Sequence, residues 1–416
     1  RSYSDNPDLI AYEMTNSLNK KNITGNISLN YQINKHFDVL LRSGMIWNDE
    51  IRTQRRPWSS ANYLQGYYRE QYVNGLNFNN DLMINYKNTF GAINFSATLG
   101  GGSQYEEQVT KDYFALGLKK AGVYNHTNAV TQRFDIPRPF DKQVNSAYGL
   151  ATFSYQDKIF LDVTARNDWS STLPKANRSY FYPSVASSFI LSDIFNLKSN
   201  KFNYWKLRAS WSKVGNDTNP YQLQNYYNPS LSFPGSVELS SKFLNPNLRP
   251  EMITNVEAGM DFSLFNNRLN YNITIYQSNS VDQIIRNVPV LWETGYSQRV
   301  INSGEIRNRG VEMMLNAYPV KNKNFSWNIS ANWSLNRNEI LSLPEEFQGE
   351  PYVMGSVGGA VYYNAVVGGS IGDMYGYGLM YSPDGQVIYG ADGLTAKPSQ
   401  MKKIGNAFPK WRAGLQ

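Results

Sequence analysis

The sequence predicts an all-β fold: an antiparallel up-and-down transmembrane β-barrel, with long loops on one rim and short turns on the other. Three observations predict it. Segments of about 10 to 14 residues alternate apolar and polar with period two. Aromatic residues make up 14% of the chain, with 30 Tyr, 20 Phe and 9 Trp, beside about 50 asparagines. Short and long connections alternate along the whole sequence. Asn and Gly are poor in helices and good in turns, whereas aromatics favour strands. Mean hydropathy is −0.50, and no apolar run approaches the ~18 residues of a membrane helix. Alternation hides a barrel from any hydropathy average.

Thirteen strands follow in order. Strand 22–34 sets Ile23, Ile27, Leu29, Tyr31 and Ile33 against Thr24, Asn26, Ser28, Asn30 and Gln32, and a short link at Asn34-Lys35 leads to 36–48. A long connection, 49–78, precedes 79–88, and a short one at Lys87 to Thr89 leads to 90–101, where Ile93, Phe95, Ala97 and Leu99 oppose Asn94, Ser96 and Thr98. After the long 102–145 come 146–156 and, past a short turn, 158–168. Medium links at 169–181 and 193–203, the second with a helical turn, flank 182–192 and lead to 204–214, where Leu207, Ala209 and Trp211 oppose Arg208, Ser210 and Ser212.

The long 215–250 delivers 251–265, with Val256, Ala258, Met260, Phe262 and Leu264 opposing Asn255, Glu257, Gly259, Asp261 and Ser263. Asn266-Asn267 turns into 268–281, the long 282–304 into 305–318, and the short 319–324 into 325–337. That last strand, FSWNISANWSLN, has no exception to its alternation. A very long 338–407 precedes the final strand, 408–416. Alternate connections in such a sheet lie at opposite ends, so tight turns gather on one rim and long loops on the other.

The apolar faces carry no charge, as lipid contact requires, since Lys or Arg at mid-depth costs ~2–4 kcal/mol. Trp and Tyr near strand ends are expected to form interfacial girdles. The alternative is a soluble β-sandwich or propeller with these faces as its core. Other chemistry finds little support. There are no cysteines and two histidines, His36 and His126, so thiol and histidine-metal sites are disfavoured. The net charge of +7 is scattered, which does not imply nucleic-acid binding. The Gly-rich 355–378 lacks the Lys-Ser/Thr ending of a phosphate loop and is expected to be loop and hairpin backbone. The flanks of Pro383 to Gly385 suggest a hairpin turn. Glu106-Glu107 and Glu345-Glu346 are expected to be solvated loop charges rather than paired acids. No cofactor, metal or catalytic residue is expected.

Several motifs resemble those of the SusC/RagA family of TonB-dependent outer-membrane transporters. They are RNDWSS (166–171), FYPSVASSFILSDIF (181–195), WKLRASWSKVGN (205–216), the segment from Asn245 to Ile284 beginning NPNLRPE, INSGEIRNRGVEMML (301–315), MYGYG (374–378) and GNAFPKWRAGL (405–415), in the family's order. The resemblance implies part of a 22-stranded barrel in the outer membrane of a Gram-negative cell. Residues 1–416 would be wall, with the N-terminal plug and the last strands outside this chain. It implies import of an oligosaccharide or oligopeptide with TonB-derived energy through that plug, and a SusD-like surface lipoprotein as partner. A passive porin or adhesin, or a soluble carbohydrate-binding or hydrolytic module, is the alternative.

Candidate ligand or partner residues lie in the expected outer loops: Arg55, Arg56, Trp58, Tyr63, Tyr67 and Tyr68 in one, Tyr221, Tyr226 and Tyr227 in another. Flat aromatics with guanidinium and amide groups suit sugars, peptide backbones and protein partners alike. Arg208, Glu257, Asp261, Asn270, Asn272, Asn328 and Asn332 are expected to face the lumen and its plug. Asn245-Pro246, Arg249-Pro250, Gly304 and Gly310 are expected to be structural.

Overall fold

In the computed structural model, which describes residues 5–135, 137–199, 201–229, 235–290, 292–347, 351–395 and 401–416, all thirteen strands form. They are β1 (Asn16–Gln32), β2 (Phe37–Trp58), β3 (Gln65–Phe90), β4 (Ile93–Leu118), β5 (Arg138–Tyr155), β6 (Ile159–Ser170), β7 (Ser179–Ile190), β8 (Phe202–Asn216), β9 (Glu251–Leu264), β10 (Leu269–Val281), β11 (Glu305–Lys321), β12 (Ser326–Ser342) and β13 (Arg412–Leu415). Each pairs with the next in chain order, and every pairing is antiparallel. The short strand Ala129–Phe134 adds to the outer end of β4. The tight turns share one rim. Phe265, Asn266 and Asn267 turn there with positive φ of 54, 54 and 61°, a conformation Asn tolerates better than most residues.

The thirteen-strand wall is a single layer among the described residues. The apolar rows are bare: Ile27 is 67% exposed, Leu29 60%, Leu99 68%, Val256 51% and Trp327 50%. The second sheet that a sandwich needs does not cover them among the described residues. What core exists lies in the outer connections, in two small clusters. One joins Leu173, Tyr180, Leu244, Leu248 and Val300, and the other Tyr68, Ala115, Leu118 and Ala129. A wall with both faces uncovered by protein needs a solvent for each, hydrocarbon outside and water inside.

An aromatic band lies on the outward face near the tight-turn rim, built more of Phe than of the expected Trp and Tyr. Phe37, Tyr86, Phe95 and Phe153 form a chain across β2 to β5, with successive ring centroids 4.8, 6.0 and 4.9 Å apart. Trp205 stacks on Phe262 at 5.5 Å further round the wall.

The outer rim departs from expectation. β2 runs to Trp58 and β3 begins at Gln65, so most of the expected 49–78 loop is a paired hairpin. Likewise β4 continues to Leu118, which places Glu106 and Glu107 in a strand rather than a loop. Above the membrane both faces of a strand are wet, so selection for alternation stops while the hydrogen-bond ladder continues. Within the 338–407 connection, four short strands, Tyr352–Val357, Val361–Ala365, Asp373–Gly376 and Lys402–Asn406, form a separate antiparallel sheet, so part of the Gly-rich run is hairpin backbone, as expected. The 383–385 turn forms: Gly385 has φ 80°, and Tyr381 bridges Val387.

Candidate functional site

The candidate functional surface is the inner wall and the loops above it. Register decides which side chains share that face. Ser28 opposes Arg42, Arg42 opposes Asp81, and Ser188 opposes Arg208. Arg208 opposes Gly259, and Asp261 opposes Asn272. The Ser/Asn row of β1 therefore continues as a charged row around the wall.

The charges are matched. Arg42 Nη2 donates to Asp81 Oδ2 at 2.9 Å, and Tyr148 Oη to Asp81 Oδ1 at 3.3 Å. Arg166 lies over the Tyr148 ring, 5.6 Å from its centroid, and donates from Nε to Asp168 Oδ1 at 2.7 Å. Tyr182 Oη completes Asp168 at 2.5 Å. Further round, Arg208 holds both oxygens of Asp261 at 2.9 Å and donates to Thr274 Oγ1 at 2.5 Å. Asn272 donates to Asp261 as well.

Glycines let these large groups lie flat. A Cβ on Gly259 would sit 2.5 Å from Arg208 Nε, one on Gly310 2.3 Å from the Tyr276 ring, and one on Gly100 2.5 Å from the Tyr148 ring. Tyr276 and Tyr148 thus cover bare backbone on a neighbouring strand, and the lumen stays open. Gly310 is thus structural, as expected, through this close approach. Gly304 instead has φ +86° beside a register shift at Glu305/Ile306.

The lumen expectations divide. Arg208, Asp261 and Asn272 form one cluster, and Glu257 borders a hollow of about 250 Å³ beside Asp162, Lys206 and Arg208. Asn332 shares the inner face through Gly414 and Met314. Asn270 does a turn's work, accepting from Ser263 Oγ at 2.7 Å and donating to the Asn267 carbonyl at 3.1 Å. Asn328 is exposed beside the irregularity between Ala317 and Val320.

The outer-loop candidates divide as well. Arg55, Arg56, Trp58, Tyr67 and Tyr68 lie on strands rather than in a loop, and Tyr63 lies in the short turn. Arg56, Trp58 and Tyr67 fall on the inner side of the hairpin, where Tyr63 and Tyr67 pack at 4.7 Å. Arg55 and Tyr68 fall on the outer side. Tyr68 is buried there against Tyr124 and His126, and it donates to Glu70 at 2.8 Å. Burial beside Glu70 pushes the Tyr68 phenol up to about 12. Tyr68 is therefore a packing residue.

Tyr221 donates to Asp141 at 2.9 Å, while Tyr226 and Tyr227 stay 55% and 67% exposed on the 217–250 connection. No hydrogen bond or ring contact links the two aromatic groups among the described residues. The NPNLRPE motif clamps this connection. Arg249 Nη2 donates to Asp282 at 2.6 Å, Asn302 Nδ2 to the Arg249 carbonyl at 2.8 Å, and Leu248 is fully buried.

Sequence reasoning missed a cavity of about 740 Å³ between the inner faces of β10 to β12 and the four-stranded loop sheet. Glu312, Asn336, Asp373, Lys403, Trp411 and Arg412 line it. Asp373 is buried, yet Lys403 at 2.6 Å, the Ser370 amide at 3.0 Å and Asn406 at 2.7 Å hold it. Burial alone would raise its pKa; these donors outweigh burial and keep it below the usual carboxylate range. No three metal-ligating side chains cluster among the described residues.

A family model described as TonB dependent receptor-like, beta-barrel matches residues 1–403. The chain belongs to that family. As a TonB-dependent receptor barrel of SusC/RagA type, it resides in the Gram-negative outer membrane, with its strands crossing the bilayer. It is 28% identical over 88% of its length to TonB-dependent receptor P3 of Formosa agariphila, covering 36% of that protein. It is 27% identical over 84% of its length to TonB-dependent receptor SusC of Bacteroides thetaiotaomicron, covering 37%. Among solved structures, one described as the RagAB peptide transporter superposes with a TM-score of 0.78 at 20% identity, covering 96% of this chain and 46% of that one. At that identity the match bears on fold alone. The receptor segment thus spans about a third of the length of its curated relatives.

Proposed function

We propose that the whole protein is an active importer, drawing an oligosaccharide or oligopeptide through this barrel with TonB-derived energy. The supporting observation is the inner wall. It is polar, with Arg42, Arg166 and Arg208 each paired to an acid, and its flattened Tyr and Arg side chains leave space for a plug or a passing polar oligomer. In this reading the wall does no bond chemistry and works by differential binding between loaded and released states. The plug lies in another part of the protein, and Arg208, Glu257, Asp261, Asn272 and Asn332 face it. A SusD-like lipoprotein closes over the outer loops, where exposed Tyr226 and Tyr227 offer it aromatic contacts.

The test is uptake by a strain expressing the intact gene, its deletion, and the intact gene with the TonB complex inactivated. Labelled oligosaccharides and oligopeptides are supplied separately. Uptake of one class should need both the receptor and an active TonB complex. Uptake that persists without the TonB complex would replace this reading with a passive porin.

A further inference from the structure

We propose that the outward face of β10 to β12 carries a binding site for a phosphorylated lipid of the outer leaflet, with Arg309 and Arg337 as its headgroup clamp. The register sets these two arginines directly opposite each other on β11 and β12. They share the outward face with Val311, Leu335 and Trp333. Like charges in that relation repel, so the pair needs a compensating anion. None is at hand. Arg309 Nε donates to the neutral Gln277 Oε1 at 2.7 Å, and the Arg337 guanidinium has no partner among the described residues. The next outward arginine, Arg307, has its own acid, Glu339, at 2.5 Å. Both unpaired arginines are exposed.

Directly beneath them lies an apolar trough of about 360 Å³ lined by Val256, Ala258, Ile275, Val311 and Leu335, with Arg309 and Arg337 at its edge. The trough exists because Ala258 pairs with Ala209 on one side, leaving a shallow place between the larger Val256 and Ile275. Its depth in the membrane follows from strand geometry. Arg337 lies ten residues beyond Trp327, which belongs to the tight-turn rim. Ten residues span ~34 Å along a strand, or ~25 Å along the membrane normal at the usual tilt, which is the height of a barrel's apolar band. The arginines therefore stand at headgroup level in the leaflet beneath the long loops. Two guanidinium forks converging above an apolar trough suit a phosphate joined to acyl chains: the phosphate oxygens accept from both forks, and a chain fills the trough.

The test is native mass spectrometry of the full-length receptor in detergent, with diphosphorylated lipid A as probe. The same lipid A stripped of phosphate and inorganic phosphate serve as controls. Correct folding of each variant is checked by heat-modifiable gel migration. Wild type should retain the diphosphorylated lipid, and R309Q/R337Q should lower the bound fraction at least fivefold. Ala258→Phe, which fills the trough and keeps both arginines, should lower it as well. Lys213→Gln, a neighbouring outward cation, should leave it unchanged. The proposal is overturned if the stripped lipid binds equally or if a folded R309Q/R337Q receptor keeps its lipid. Displacement of the lipid by a tenfold excess of inorganic phosphate would likewise overturn it, marking the site as a simple anion site.

Discussion

Met313 and Met314 are chemically identical neighbours on β11, and the barrel assigns them opposite solvents. Met313 opposes Ile273 and Trp333 on the outward face, and Met314 opposes Asn272 and Asn332 on the inner face. The outward apolar row of β11 runs from Ala317 to Val311 and ends at Arg309. Eight residues at ~3.4 Å, tilted ~40°, give ~21 Å along the membrane normal, so Met313 sits near mid-depth. Met313→Arg should therefore cost ~2–4 kcal/mol, a 30- to 700-fold loss in the insertion equilibrium at about 1.4 kcal/mol per decade. Met314→Arg enters a wet lumen, where Met314 is already 53% exposed, and should cost well under ~1 kcal/mol. The assay is urea-dependent folding of the full-length receptor into phospholipid vesicles, followed by heat-modifiable migration. Equal costs at the two positions, or a larger cost at 314, would refute the assignment of hydrocarbon to the outward face.

Other expectations follow from the same geometry. Gly259→Ala should push Arg208 off Asp261 and cost ~1–2 kcal/mol, discounted because both side chains are partly wet. In an Arg208→Ala background that cost should vanish, and a double-mutant cycle on vesicle folding reads the coupling. Asp373 titrates below the usual carboxylate range in the folded loop sheet, so its stabilising contribution is full above the unfolded carboxylate pKa. It is lost as pH falls through the lower folded value. Hydrogen exchange at Asp373–Gly376 and Lys402–Asn406, corrected for intrinsic rates, should show that acid loosening, and Asp373→Asn should remove the pH dependence. Tyr226→Ala/Tyr227→Ala should leave receptor abundance in the outer membrane unchanged and weaken co-purification of the proposed SusD-like lipoprotein several-fold, whereas Tyr68→Ala should lower abundance.

The wall was legible because the bilayer enforces a rule that a sequence cannot hide. A strand such as 325–337 must keep Phe325, Trp327, Ile329 and Leu335 on one row and Ser and Asn on the other. That rule holds only within the membrane, and the reading failed where it ends. Above Asn80 and Ser103 the outward row turns mixed, with Glu107 and Lys111 among aromatics, yet β3 and β4 stay paired for many more residues. Periodicity could not see the extension, so Arg55, Arg56, Trp58, Tyr67 and Tyr68 passed for loop. The large cavity was hidden for another reason. It joins Glu312 to Asp373 and Lys403 across a long connection, and no spacing in the sequence encodes that meeting.

Lumen contacts were within reach by carrying parity from strand to strand. Once Arg208 and Asp261 are placed on the polar rows, antiparallel order puts Arg166, Asp168, Tyr148 and Asp81 on the same face. The outcome is a physical division of labour between the two faces. Inside, Arg42, Arg166 and Arg208 each have an acid, and the wall presents many hydrogen-bonding groups. Under the proposed import function, such a surface would hold a polar oligomer weakly at many points rather than tightly at one, as release toward the cell interior would require. Outside, Arg309 and Arg337 at the edge of the apolar band are left without acids among the described residues, and the proposed lipid phosphate would supply the missing anion.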